Sequence, residues 1–370
     1  MNISKLTNYG KLSVYGGGHA SSPSYYRSRQ YFDKLEGISV EYHTIANIQR
    51  RFMPISQKPL YIKAYAYLCS VLVIFFALIK DYFNPPKAIV ICRKLVVKYS
   101  PYPVRLLIGL IAKKGVPIYW DFDDPILHIG EICKKEFNLL SKIATSITVT
   151  HEGLRNTIAK EYRNKVELLP TTDGDIYKLY DSRVNEKRLQ SLNREVRMIW
   201  VATNVNLYHL EFVAEDLDKA AYELKKATGK QLVLNVVCNG DLIYDFKYLK
   251  LNNIKWTREE AIKQMVEAHI GIMPLINTEA ARGKGGFKLI QYQSIGLPSI
   301  ASNVGFNNTV LSEGTGYLVD NENHNGWSKA VIILSTPDEW GTSSKAAFEN
   351  WLSNFSYDKN LEFWKKKILI

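Results

Sequence analysis

The feature that most constrains this chain is an alternation. Short runs rich in β-branched residues, each followed by a longer stretch of helical periodicity, recur along almost its whole length. That order is the signature of parallel sheets with crossover helices on their faces. A first series of strands is predicted at Lys11–Tyr15, Ile38–Thr44, Lys87–Arg93, Val116–Phe122, Ser146–Thr150 and Val166–Leu169. A polar, charged stretch around Tyr180–Arg194 then reads as a connection. A second series follows at Arg197–Ala202, Gln231–Val237, Asn253–Trp256, His269–Pro274, Pro298–Ala301 and Gly316–Val319, with helical patterns such as Leu210–Ala227 and Arg258–Ala268 between strands. At 370 residues the chain suits two domains of middling size. The expected division is residues 1–190, residues 191–350, and a basic amphipathic helix at 351–370 that packs back on the first domain. Two doubly wound domains would face a central cleft, at the carboxyl ends of their strands, where such folds bind ligands.

Charge separates the two halves. Residues 1–195 hold 29 Lys+Arg against 17 Asp+Glu, whereas residues 196–370 hold 19 of each. Within residues 1–120 the count is 17 basic and 4 acidic. So one-sided a field favours an anionic partner for the first half, such as a phosphorylated lipid, a membrane surface or nucleic acid. The alternative is a solvated basic face without a partner. The segment Tyr65–Ile79 carries no charge over fifteen residues and lies between Lys63 and Lys80. Spanning a bilayer takes about 20 apolar residues, so this run reads as a helix buried against a sheet or lying in the membrane interface, with a true span as the third alternative. The N-terminus shows no apolar core of signal-peptide length. Cys69, Cys92, Cys133 and Cys238 stand far apart, which suits buried thiols in a reducing, cytoplasmic compartment.

Three segments carry chemistry. Between Pro274 and Pro298 a glycine-rich cationic loop, Arg282-Gly-Lys-Gly-Gly-Phe-Lys288, feeds a helix that starts near Gly286 and stops before Gly296. Backbone N–H groups at that helix start, with Arg282, Lys284 and Lys288, would make a diphosphate site. A flexible surface loop with incidental lysines is the competing reading. The second segment, Tyr15-Gly-Gly-Gly-His-Ala-Ser-Ser-Pro-Ser-Tyr-Tyr-Arg27, follows the first strand. Its glycines let the chain turn tightly and approach a ligand. The third is Trp120-Asp-Phe-Asp-Asp-Pro125, directly after a strand. Its carboxylates would be costly to bury unpaired, so Asp121, Asp123 and Asp124 should meet the cleft, a helix N-terminus or a cation. An N-cap with Asx-turn hydrogen bonds at Asp123 or Asp124 is the structural alternative. The seven histidines show no metal-binding spacing, and no metal site is expected.

Taken in order, the run Gly271-Ile-Met-Pro-Leu275, the cationic loop, the Gln291-Tyr helix, the turn Gly296-Leu-Pro298, the strand Ser299-Ile-Ala-Ser302 and Glu313-Gly-Thr-Gly-Tyr-Leu-Val319 resembles the retaining GT-B glycosyltransferases of family four (glycosyl transferases group 1), of the bacterial surface-polysaccharide type. Leu168-Leu-Pro-Thr-Thr-Asp-Gly-Asp-Ile-Tyr177 and Thr150-His-Glu-Gly-Leu154 are similar to smaller elements of that family. The resemblance implies the GT-B fold, two Rossmann-like domains about a cleft, and transfer with retention without a required metal. It implies a nucleotide-sugar donor, UDP- or GDP-linked, held by Gly17, Gly18, Arg282, Gly283, Lys284, Lys288 and Gln291. It places Asp123, Asp124 and His19 on the catalytic, acceptor-facing side. Many members carry two glutamates eight positions apart before the Gly-x-Pro turn. Here Gly283 and Gln291 occupy those positions, and a glutamine can still accept and donate to ribose hydroxyls.

With the basic first half, this implies a saccharide or lipid-linked acceptor in cell-surface polysaccharide synthesis, no nucleic acid, no separate cofactor, and a peripheral place at the inner face of the cell membrane. Two other readings stay open at this point: a nucleotide-sugar epimerase on the same fold, and a non-enzymatic membrane- or nucleic-acid-binding protein that uses only the basic half.

Overall fold

The computed structural model describes residues 10–16, 25–44, 58–96 and 98–370. The chain forms two compact units, one reaching to Thr171 and joined by Tyr357–Ile370, the other Thr172–Ser356. Each unit is built on a parallel six-stranded sheet.

In the first unit the strands are β1 (Lys11–Tyr15), β2 (Ser39–His43), β3 (Ala88–Cys92), β4 (Ile118–Phe122), β5 (Ser146–Val149) and β6 (Val166–Leu168), in the order β2-β1-β3-β4-β5-β6. The inner strands β3, β4 and β5 are buried at every residue, as expected where helices cover both faces. From β1 the chain adds β2 on one side, then crosses back to place β3 on the other. Such a reversal opens a crevice at the carboxyl ends of the two strands. Gly16 sits there with φ +85°, and a Cβ on it would come 2.2 Å from the Cys92 carbonyl oxygen. Only glycine fits that turn.

The second unit repeats the plan with β7 (Glu195–Val201), β8 (Gln231–Cys238), β9 (Lys250–Lys255), β10 (Ile270–Met273), β11 (Ser299–Ser302) and β12 (Gly316–Val319), in the order β12-β11-β10-β7-β8-β9. Its reversal lies between β7 and β10, paired in parallel through Ile270 and Gly271. The helices Ala214–Thr228 and Gly326–Leu334 cover one face, and Leu217, Leu224, Val331 and Leu334 are buried in the core they share with β7 and β8.

Three expectations change. The stretch read as a connection around Tyr180–Arg194 is mostly a helix, Ser182–Leu192, that belongs to the second unit. Asp181 caps it by accepting the Val184 N–H at 2.8 Å. On its inner face Arg188 is buried and donates to the carbonyls of Met265, Val266 and Ile295 at 2.8–3.0 Å. Those carbonyls close two other helices, Arg258–Glu267 and Phe287–Ser294, so one guanidinium satisfies acceptors that helix ends leave open. Burial lowers its pKa to about 9. The unit boundary accordingly falls before this helix rather than at residue 190. Second, the pattern at Leu210–Ala227 is two helices, Leu207–Phe212 and Ala214–Thr228. Third, the apolar run at Tyr65–Ile79 belongs to a longer helix, Leu60–Phe83.

The terminal helix Tyr357–Leu369 docks on the first unit through Tyr357, Asn360, Trp364 and Ile368. Trp364 packs edge-on against Phe32, with ring centroids 5.0 Å apart, and Tyr357 donates to the Gln30 carbonyl at 2.5 Å.

Candidate functional site

In the first unit the carboxylates of Trp120–Pro125 are taken up by arginines. Asp121, at the end of β4, is buried and accepts from Arg27 Nε at 3.0 Å and from Arg27 Nη2 and the Thr148 hydroxyl. Arg27, also buried, donates further to the Leu169 carbonyl and to Thr171 Oγ1 at 3.2 Å. It thereby ties the helical turn Tyr25–Arg29 to the ends of β4 and β6. Asp123 accepts from Arg93 Nε at 2.9 Å, Asp124 from Arg93 Nη2, and Glu131 from Arg93 Nη1 at 3.0 Å. Arg93 leaves β3 in the left-handed region, with φ 66°. Burial works against its charge, but Asp123, Asp124 and Glu131 more than offset that and raise its pKa. Asp123 and Asp124 therefore meet a cation, the guanidinium of Arg93, which is one of the three surroundings their sequence context left open. Gly17, Gly18 and His19 lie outside the described residues.

Among the described residues one group of possible metal ligands converges, Glu41, His43 and Asp81. Asp81 in it already accepts from Lys11 Nζ at 2.5 Å and from the Tyr15 hydroxyl at 2.6 Å. Asp121, Asp123 and Asp124 form no such group among the described residues.

In the second unit the residues gather at the reversal between β7 and β10. After β7 the chain makes a turn, Asn204–Asn206, and enters the helix Leu207–Phe212. After β10 it runs through the helix Glu279–Arg282, capped by the Thr278 hydroxyl, into the glycine-rich loop. Gly286 opens the helix Phe287–Ser294 in the left-handed region, φ 62°, where a Cβ would also press Val310 at 2.9 Å. Lys284 Nζ donates to Asn206 Oδ1 at 2.9 Å, which joins the two loops.

Lys288, on the first turn of that helix, donates to Gln291 Oε1 at 2.9 Å. Gln291 Nε2 in turn donates to the buried Asp173 at 2.8 Å. Asp173 also accepts from the backbone of Asp175 at 2.9 Å and from Arg258 at 3.3 Å, and Arg258 reaches Asp175 at 3.0 Å. Burial drives the Lys288 pKa down to about 8, with Asp173 opposing the shift and Arg258 adding to it. His209 is buried beside this loop, and its Nδ1 accepts the Ile276 N–H at 3.1 Å. That contact puts the proton of the neutral ring on Nε2, which is buried without a hydrogen-bond partner among the described residues. Burial and the charge of Lys284 lower its pKa to about 4, so the ring is neutral.

The structure thus joins Lys288 to Gln291 and ties Lys284 to Asn206 on the neighbouring loop, with Gly283 buried in the glycine-rich loop. Arg282 is exposed and donates to Asn277 at 2.8 Å. Sequence reasoning missed Asp173, Arg258, Asn206 and His209. Asp173 lay in a segment singled out for its resemblance, while the other three carry no local signal.

Residues 195–336 match the family model described as Glycosyl transferases group 1. That stretch holds Asn206, His209, Arg258, Lys284, Lys288 and Gln291. No curated protein sequence matches the chain. Solved structures match along nearly all of it. The Anabaena protein Alr3699/HepE, in complex with UDP and glucose, superposes with a TM-score of 0.62 at 11% identity, over 97% of this chain and 98% of that one. A glycosyltransferase from Rickettsia africae gives 0.61 at 17% identity, over 97% and 98%. The N-terminal domain of Candida albicans trehalose-6-phosphate phosphatase gives 0.64 at 14% identity, over 100% and 98%. The chain has the GT-B fold.

Proposed function

We propose that this protein is a glycosyltransferase that takes a UDP- or GDP-linked sugar and transfers it, with retention, to a saccharide or lipid-linked acceptor in cell-surface polysaccharide synthesis at the inner face of the cell membrane. The observation that carries the reading is the pair Lys284 and Lys288 at the start of the helix Phe287–Ser294, inside the segment matching the glycosyltransferase family. The solved Anabaena relative was captured with UDP and glucose, which supports a uridine diphosphate sugar as donor.

The chemistry follows from the charges. An acceptor hydroxyl oxygen bonds to the anomeric carbon as the bond from that carbon to the β-phosphate oxygen breaks. The hydroxyl proton leaves with the nucleoside diphosphate. Negative charge grows on the departing diphosphate, and Lys288 with the N–H groups of the helix start stabilises it there. Gln291, held by Asp173, presents its amide to the ribose hydroxyls. Asp173 and Arg258 are positioning residues that act through Gln291. The sugar passes through an oxocarbenium-like state. The basic first unit receives the acceptor, with Asp123 and Asp124 ordered by Arg93 as its carboxylates.

Calorimetric titration with UDP, GDP and their sugars tests the donor assignment, and a transfer assay in EDTA tests independence from metal. Binding of a nucleoside diphosphate and transfer that survives chelation are expected. A folded chain that binds neither diphosphate overturns the reading, and activity restored to chelated enzyme only by a divalent cation overturns its metal-free part.

A further inference from the structure

The helix Leu60–Phe83 has two unlike faces. One buries Ala66, Ser70, Ile74, Leu78 and Asp81 against the first unit. The opposite face aligns Tyr61, Tyr65, Leu68, Leu72 and Phe76 at helical spacing, and all are exposed, Phe76 to 62%. Only 22% of its most apolar stretch is buried. The helix Tyr102–Lys113 packs beside it and adds exposed Tyr102 and Leu106. A soluble monomer seldom leaves so continuous an apolar surface open to water.

Charge identifies what covers it. Between residues 42 and 120 the single acidic residue is Asp81, and it is buried. Lys98 is exposed next to Tyr99, whose carbonyl accepts from the Tyr67 hydroxyl of the helix. Lys113 is exposed at the end of the neighbouring helix, and Lys114 lies across the Tyr82 ring. Two copies of such a surface would repel one another, whereas an anionic lipid surface complements it. Exposed Tyr61, Tyr65 and Tyr102 suit the boundary between headgroups and acyl chains. Length alone would let these 24 residues cross a bilayer, but Ala66, Ser70, Ile74 and Leu78 are buried against the first unit, and the Asp81 carboxylate is fixed to Lys11 and Tyr15 of β1. A crossing helix would have to leave all of these partners.

We infer that the helix Leu60–Phe83 lies flat in one leaflet of an anionic membrane, its Tyr61–Phe76 face among the acyl chains and its Asp81 face on the sheet. This deepens the membrane part of the proposed function and is separable from it, because vesicle binding can fail while nucleotide binding holds.

The test is flotation of the full chain with phosphatidylcholine vesicles, with and without phosphatidylglycerol, at low and high salt. Binding to the anionic vesicles is expected, weakened by salt. Lys98→Gln and Lys113→Gln should each weaken it about fivefold. Leu72→Glu with Phe76→Glu should abolish it while UDP binding and the thermal unfolding midpoint stay unchanged. Being exposed, these two positions do not endanger folding. Undiminished binding by that double variant overturns the inference. So does a lipid-free dimer that the same double variant dissolves. Release from membranes only by detergent, and not by alkaline carbonate, overturns the flat seating.

Discussion

Each unit collects charge at the reversal of its sheet, yet the two differ at one cation. In the first unit, cations meet anions: Arg27 takes Asp121, and Arg93 takes Asp123, Asp124 and Glu131. In the second, Arg258 likewise takes Asp173 and Asp175, but Lys288 donates to the neutral amide oxygen of Gln291. An ion pair balances its own charge and mainly fixes loops. An ammonium resting on an amide keeps its field, which an arriving anion can use. The contrast separates residues that hold a site in shape from residues that meet a ligand, although both sets look alike as a list of charged side chains.

The sharpest way to break that contrast is Asp121→Ala. It strands the Arg27 guanidinium in a place where both partners are almost wholly buried. Removing one member of a buried pair costs about 3–5 kcal/mol. Chemical denaturation should show a loss of that size. A loss within the range of a surface substitution, about 0.5 kcal/mol, would mean the pair does not organise the first unit.

Lys288→Ala should behave conversely. A lost charge-assisted contact to a diphosphate costs about 1.5–3 kcal/mol, a factor of roughly 10 to 150 in affinity. Stability should hold or rise, because the substitution removes a charge whose burial is unfavourable. Equal losses of binding and stability would place Lys288 among the structural cations instead.

Acidity sharpens the same point. The Lys288 pKa is about 8 in the folded chain, below the value of about 10.4 for a solvated lysine. Lowered in this way, the folded chain binds fewer protons than the unfolded one between those values, so stability rises with pH across that window. Diphosphate binding runs the other way. An anion favours the ammonium, so affinity should be full below pH 8 and fall as pH rises through it. UDP titrations from pH 7 to 10 should show this slope, and Lys288→Ala should flatten it. An unchanged slope in the variant would assign the proton to another group.

How much of this was legible in the sequence depended on range. The loop from Arg282 to Lys288 and the helix after it are local: glycines at the turn, lysines at the helix start, a Gly-x-Pro stop. The strands were legible for the same reason, except that β9 reaches back to Lys250, where polar residues on an exposed edge gave no apolar run. The pairing of Gln291 with Asp173 joins residues 118 positions apart, and no local pattern announces it. Arg188 shows the other failure. A segment dense in Arg, Lys, Asn and Gln looks like a linker, and only the fold reveals that one of its arginines closes two helices from inside. The helix Leu60–Phe83 was half-legible. Its apolarity was plain, but which face met the protein depended on Asp81 finding Lys11 and Tyr15 across the sheet.

The smallest expected effect falls on Arg282, which by sequence belongs with Lys284 and Lys288. All three lie within one seven-residue loop, and a count of positive charge treats them alike. The structure does not, because Arg282 is exposed and spends its Nη1 on the Asn277 side chain, across a loop outside the helix start. A solvated guanidinium interacts with an anion through water and salt, where a contact is worth about 0–1 kcal/mol. Arg282→Gln should therefore weaken UDP binding less than Lys288→Ala does, and its effect should vanish in high salt as screening removes the remaining field. Lys288→Ala should keep more of its effect there, since a partly buried charge is screened less than an exposed one. Titration of both variants at two ionic strengths settles the order. If Arg282→Gln costs as much as Lys288→Ala at high salt, the loop closes over the diphosphate on binding and recruits the arginine, and the division between exposed and ligand-facing cations would have to be redrawn.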